Sequence, residues 1–346
     1  MRLLILYEEL APYFLVCISE FSKINNAEIH IIKKSINKEA PFEFSTKSIN
    51  IYSREEYTSE ELFNLAQQIN PTAIFCGGWM TKNYLKICSG FKGEIPIVVG
   101  FDNKWDGSIK QQIKRIIFPF LITNKFDACF VPGTQQKKFA LKIGFKENKI
   151  RLGAYSCDFN LFHDQYQLNK QSKEVNMPKR FIFVGRYYEF KGIKDLWNAF
   201  IELQNENPND WELWCLGTGD IEQIKHEKIK HFGFVQPKDL PEYIKNTSVF
   251  VLPSHFEPWG VVIHEFAAAG FPIVCSDNVG AAEAFVKNNV NGFIFKSRDV
   301  ADLKEQLHKV INLSNFELNK MGEESVNFAK KITPSIWAQQ LIDLVK

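Results

Sequence analysis

Short apolar runs separated by amphipathic stretches recur along the whole chain, and they fall into two sets. In the first set, residues 3–7, 28–32, 72–76, 95–100, 127–132 and 149–153 read as strands bounded by turn residues. Helical periodicity lies between several of them, at 59–69 and 134–143. The second set comprises 181–184, 212–216, 229–234, 249–252, 273–275 and 292–295, and follows a polar run at 163–179 that reads as a linker. Such an alternation is the pattern of a parallel sheet covered by helices on both faces. It predicts an α/β fold of two Rossmann-like, doubly wound domains, over residues 1–160 and 161–333. At 346 residues the chain is long enough for both.

Composition removes several function classes. Hydrophobic residues make up 45% and charged residues 24%, as in ordinary soluble globular proteins. No run approaches the roughly 18 apolar residues of a membrane span. The first strand is too short for a signal peptide and runs directly into Glu8 and Glu9. Seven scattered cysteines without a Cys-x-x-Cys pair fit reduced thiols, so a cytoplasmic location is expected. Residues 1–160 carry 21 Lys and Arg against 16 Asp and Glu, and the remainder 21 against 24. That mild basic excess suits an anionic membrane surface and is too small for nucleic acid. Residues 110–126 concentrate it, mixing Lys110, Lys114, Arg115 and Lys125 with Ile116, Ile117, Phe118, Phe120 and Leu121. They read either as a basic–apolar patch lying on a membrane or as a core helix ended by Pro119.

The stretch 253–280, PSHFEPWGVVIHEFAAAGFPIVCSDNVG, has the richest local structure. A strand runs into Pro253 and an irregular turn. A helix is expected to open near Trp259 and Gly260 and to close at Gly270, with Pro272 beyond it. Glu257 then stands at the mouth of the helix and Glu265 inside it, roughly 7–8 Å along from Gly260 at about 1.5 Å per residue. Unpaired amides and the helix dipole make such an opening attractive to phosphate. A diphosphate seated there could offer one sugar to each carboxylate, which is the layout of a nucleotide-sugar. Spacing alone is not diagnostic, since Glu20 and Glu28 are equally separated without that setting.

A second constellation is Gly185-Arg186 followed by Lys191-Gly192, at the end of a strand. The fork of Arg186 and the point charge of Lys191 suit a diphosphate. The order differs from a Walker A loop, and Leu216-Gly217-Thr218-Gly219 lacks the third glycine of a dinucleotide fingerprint. No Asp-x-Asp or His-Glu-x-x-His occurs, so no metal site is expected. In the first half, Trp79, Asp102 and Asn103 sit at strand ends where ligands gather, although caps and packed edges use the same residues.

The run Glu257-Pro258-Trp259-Gly260-Val261-Val262-Ile263-His264-Glu265, with the small residues 267–270 and the strand after Pro272, resembles the E-x7-E region of glycosyltransferase family 4. The family's G-R-x4-K-G pattern matches at Gly185, Arg186, Lys191 and Gly192. The resemblance implies a GT-B fold, with two Rossmann-like domains facing across a cleft, and a retaining, metal-independent hexosyltransferase. Under it Glu257, Arg186 and Lys191 are catalytic. Glu265 meets the ribose, while Gly185, Trp259, Gly260, Val261, Val262, Gly217 and Val235 hold the rest of the donor. It implies that a last helix, about 334–346, crosses back onto the first domain.

The implied partners are a nucleotide-diphosphate sugar, with no further cofactor, and a glycan or lipid-linked acceptor. Surface polysaccharide synthesis, such as lipopolysaccharide or capsule, with peripheral contact at the inner membrane, is the implied setting. Phe101-Asp102 replaces a histidine that relatives often place against the donor sugar, and Glu8-Glu9-Leu10 replaces a glycine pair. A nucleotide-sugar epimerase of the same architecture and a non-catalytic nucleotide-sugar-binding protein remain as alternatives.

Overall fold

The computed structural model describes residues 1–34 and 49–346. They divide into two compact units, Met1–Ser156 with Ile332–Lys346, and Cys157–Lys331.

The first unit is built on seven parallel strands: β1 (Arg2–Tyr7), β2 (Glu28–Lys33), β3 (Ile49–Ser53), β4 (Ala73–Cys76), β5 (Ile97–Gly100), β6 (Ala128–Val131) and β7 (Ile150–Leu152). Their order is β3-β2-β1-β4-β5-β6-β7, so the winding reverses beside β1. The period-2 alternation of β1 sends Leu4 and Leu6 to one face of the sheet and Leu3 and Ile5 to the other, and both faces are packed. Strand β3 has no continuous apolar run to mark it. Ile49 and Ile51 alternate with polar residues, as suits an edge strand, and pair with Ile29 and Ile31 of β2.

The last helix, Pro334–Val345, packs in this unit, against the helix Pro12–Asn25. Its Trp337 ring meets Phe14 edge-on with centroids 5.7 Å apart, and the indole N–H donates to the Ala154 carbonyl at 2.7 Å. Trp337→Phe keeps most of the apolar contact but strands that buried carbonyl. A loss of about 1–2 kcal/mol in urea unfolding is expected.

The helix Ile109–Leu121 contradicts the core-helix reading of this segment. None of its residues is buried, and it runs through Pro119 for two further residues. Pro119 sits in the last turn, where it forfeits only the bond to the Arg115 carbonyl, and Ile122 N–H closes the turn on the Phe118 carbonyl at 2.9 Å. No helix among the described residues is long and apolar enough to cross a membrane.

The second unit has six parallel strands: β8 (Arg180–Val184), β9 (Glu212–Leu216), β10 (Ile229–His231), β11 (Val249–Leu252), β12 (Ile273–Ser276) and β13 (Gly292–Phe295). Their order is β10-β9-β8-β11-β12-β13, with the reversal between β8 and β11. The polar run expected as a linker is instead most of a helix, Phe159–Val175, within this unit. Asp158 caps it, accepting from the Leu161 amide at 3.3 Å, and Phe159, Phe162 and Asn169 supply one buried side. Its other faces are polar because they are exposed, and composition alone read that as a loop.

Candidate active site

In the second unit two strand ends come together at the reversal point, as open α/β sheets generally arrange their ligand sites. After β8 the chain passes Gly185 and Arg186 into a short 3₁₀ turn, Glu189–Lys191, that ends at Gly192. Gly192 has φ +68°, and a Cβ there would lie 2.1 Å from the Pro253 carbonyl oxygen. Only glycine permits this approach, which presses the Lys191 turn against the loop leaving β11. The His255 amide donates to the Phe190 carbonyl at 2.8 Å and fastens the two loops.

Lys191 and Glu257 meet there as an ion pair between largely buried side chains. The Ser254 hydroxyl donates to the same carboxylate oxygen at 3.4 Å. Ser254 was not marked by any motif; its only signal was its position three residues before Glu257. The Glu257 main chain is held as well, its amide donating to Asn278 at 3.3 Å and its carbonyl accepting from Gly280 at 3.0 Å. Arg186 is exposed, with its guanidinium 5.7 Å from the Tyr188 ring centroid.

The helix Val261–Ala268 starts directly beyond Glu257, with Gly260 at its mouth at φ +94°. The Gly260 carbonyl takes the Ile263 amide at 3.0 Å, whereas the amides of Val261 and Val262 have no intrahelical acceptor to reach. That leaves a positive helix end beside Glu257 and Lys191. The Trp259 side chain is only 2% exposed and packs edge-on near Phe285 at 6.2 Å. It therefore offers this mouth its main chain, not its ring. Glu265 lies in the second turn of the helix, and burial pushes its carboxyl up to about 7, with nearby Asp158 adding to the rise. Gly217 abuts Gly185 across the ends of β9 and β8, and Val235 is half-buried in the loop after β10.

The two histidines of the motif are structural. His255 Nε2 pairs with Asp195 at 2.7 Å. His264 accepts from the Cys157 amide at 3.1 Å and bonds the Ala329 carbonyl at 3.0 Å. Neither joins Glu257 or Glu265 in a metal-binding group, and no such group occurs among the described residues.

Trp79, Asp102 and Asn103 lie in the first unit, in a cavity of about 290 Å³ at the carboxyl ends of β1, β4 and β5. Tyr7, Tyr155 and Lys114 complete its polar lining. Burial raises both tyrosine hydroxyls above their ordinary value, and the Asp102 carboxylate raises them further. Trp79 is mainly a packing residue, 4.8 Å from Phe101 and 5.6 Å from Phe118 between ring centroids. The two tyrosines had no sequence signal, because Tyr7 ends a strand and Tyr155 falls in no motif.

Residues 164–328 match the family model described as glycosyl transferases group 1. The match lies within the second unit and spans just under half of the chain. An uncharacterized 41.2 kDa protein in the cps region of Klebsiella pneumoniae is 24% identical over 208 residues, covering 58% of this chain but only 55% of the relative. The N,N'-diacetylbacillosaminyl-diphospho-undecaprenol alpha-1,3-N-acetylgalactosaminyltransferase of Campylobacter jejuni is 23% identical, covering 88% of this chain and 84% of the relative. Among solved structures, Anabaena Alr3699/HepE in complex with UDP and glucose superposes with a TM-score of 0.73 at 16% identity, over 99% of this chain and 98% of that one. The fold is therefore GT-B, with two Rossmann-like units. The group 1 match ends near the limits of the second unit, so it takes in Arg186, Lys191, Glu257 and Glu265.

Proposed function

We propose that this protein is a retaining glycosyltransferase of family 4 type. It moves a sugar from a nucleotide-diphosphate donor to a hydroxyl of a glycan or lipid-linked acceptor. The observation that carries the reading is the Lys191–Glu257 pair set beside the open end of the helix Val261–Ala268. An ammonium, a guanidinium and unpaired helix amides are what a departing diphosphate requires. A carboxylate next to them suits the cationic anomeric carbon left behind.

In this reading the anomeric C–O bond breaks and its electron pair leaves on the diphosphate. Arg186, Lys191 and the amides of Gly260, Val261 and Val262 take up that charge without a metal or further cofactor. Glu257 orients the sugar, and the acceptor hydroxyl oxygen forms the new bond on the same face as its proton passes to the departing diphosphate. Glu265 accepts from the ribose, and Val235 and Gly217 border the base. Asp102, Asn103 and Trp79 serve the acceptor side of the first unit. The Campylobacter relative, named for sugar transfer to an undecaprenol-linked acceptor, supports lipid-linked glycan synthesis. In this reading the reaction runs at the cytoplasmic face of a membrane, and nucleic acid takes no part.

Thermal shift with a panel of nucleoside diphosphates and their sugars tests the reading. At least one nucleoside diphosphate is expected to raise the melting temperature, and Lys191→Met to abolish the rise. No response to any member of the panel would overturn the proposal. Donor isomerised in the absence of acceptor would identify an epimerase instead.

A further inference from the structure

The helix Ile109–Leu121 in the first unit is amphipathic in the wrong direction for a globular surface. Its inward side, stepping by three or four residues, is Gln111, Lys114 and Phe118. The Phe118 ring packs with the core beside Trp79, and Gln111 ties the helix down through Nε2 to the Lys104 carbonyl at 2.7 Å. The opposite side, pointing away from the unit, is Ile109, Ile113, Ile116 and Phe120, exposed by 81%, 50%, 71% and 74%. Ile117 and Leu121 widen the same stripe. Lys110 flanks it on one side and Arg115 on the other, both exposed.

Four adjacent large aliphatic and aromatic side chains held in water need an occupant. The charges decide which. Between Asp106 and Asp127 the chain carries Lys110, Lys114, Arg115 and Lys125 and no carboxylate. A second copy laid on this face would bring cation against cation with no acid to answer it. Nucleic acid would answer the cations but leave the apolar stripe in water. An anionic bilayer answers both, taking the stripe at the acyl boundary and the cations at the phosphates.

We propose that the helix Ile109–Leu121 is a membrane-docking element that lies in the interface of an anionic bilayer, with Ile109, Ile113, Ile116 and Phe120 inserted. It rests on the reading above for its setting. It also deepens that reading, because Lys114 of the same helix lines the cavity that holds Asp102 and Asn103. Docking would therefore hold that cavity at headgroup level, where a lipid-linked acceptor presents its sugar.

Vesicle co-sedimentation of the full chain tests this with no donor or acceptor present. The protein is expected to bind phosphatidylcholine vesicles containing phosphatidylglycerol, and pure phosphatidylcholine vesicles far more weakly. Ile116→Ser with Phe120→Ser should weaken binding by roughly tenfold or more, since both side chains leave the acyl boundary. Lys110→Gln with Arg115→Gln should weaken it about fivefold per cation, and added salt should mimic that loss. Nucleotide thermal shifts should be unchanged in both variants, so failure here and failure of the donor site are read separately. Absence of binding to the anionic vesicles, or binding that survives Ile116→Ser with Phe120→Ser, overturns the proposal. A wild-type dimer in analytical centrifugation that this double variant dissociates would also overturn it.

Discussion

Sugar transfer by the Lys191→Met variant is expected to fall roughly 100- to 1,000-fold, or about 3–4 kcal/mol, as when one preorganised donor is removed from a developing charge. Methionine keeps the apolar stem, and the loop should hold its place. Gly192 still lies on the Pro253 carbonyl, and the His255 amide still bonds Phe190. Stability should fall too, by up to about 3 kcal/mol, because the change leaves the largely buried Glu257 carboxylate without its cation, a cost eased by the Ser254 hydroxyl and the helix end. The double variant Lys191→Met with Glu257→Gln separates the roles. If the pair were only structural, removing both charges would restore stability, and each variant would turn over normally once folded. For the site proposed here stability recovers while activity falls further, as measured by urea unfolding alongside donor-saturated rates. Normal turnover in both single variants would remove the pair from the chemistry.

Much of the fold was legible because a buried parallel strand leaves a compact apolar run. Residues 3–7 and 249–252 could hardly be anything else, and the structure makes them β1 and β11. Strand β3 was illegible for the opposite reason. At the sheet edge only Ile49 and Ile51 needed to be apolar, and two residues in five do not stand out. The helix Phe159–Val175 was misread as a linker because its buried side is narrow and its remaining surface is Lys, Gln and Glu. Polar composition reports exposure, not irregularity.

In the site, glycine placement carried the most information. Gly192 and Gly260 mark where the backbone turns through positive φ, and each such turn presents a charged neighbour, Lys191 or Glu257. Contacts between loops left less trace. The bond of Ser254 to Glu257 and the Asp195–His255 pair depend on how the ends of β8 and β11 meet, which no single stretch encodes. The orientation of the helix Ile109–Leu121 was hidden too. Periodicity shows that an apolar face exists and is silent on whether it faces the core or the solvent.

Glu265 yields the second large effect, and its sign depends on pH. Burial, with Asp158 nearby, lifts its carboxyl from an ordinary 4.5 to about 7. Below about pH 4.5 the group is protonated in both the folded and unfolded chain, and the lift has no consequence. Between about pH 4.5 and 7 the unfolded chain gives up the proton while the folded protein holds it. Above 7 the folded protein must keep a largely desolvated carboxylate that the unfolded chain keeps in water. Stability is lost across the window from about 4.5 to 7, by at most about 3.5 kcal/mol at roughly 1.4 kcal/mol per pH unit. Glu265→Gln has no ionisation to suppress. It should therefore unfold at higher urea than the parent at pH 8 and at nearly the same urea at pH 4.5.

Nucleotide binding should move the other way. Two ribose hydroxyls donating to a carboxylate already stripped of water recover part of its burial cost, so donor affinity should strengthen as pH rises toward 8. The amide of Glu265→Gln offers one acceptor oxygen and no charge, and affinity should fall roughly tenfold at pH 8, in line with the loss of a charge-assisted hydrogen bond. Urea unfolding at the two pH values and calorimetry with the responsive nucleoside diphosphate measure both arms. A stability gain equal at both pH values would mean that the carboxyl is not buried. Unchanged affinity at pH 8 would take Glu265 out of the donor site, leaving the gain in stability as mere relief of a desolvated charge. Both effects together would mark a carboxylate kept at a cost to the fold because the donor needs it.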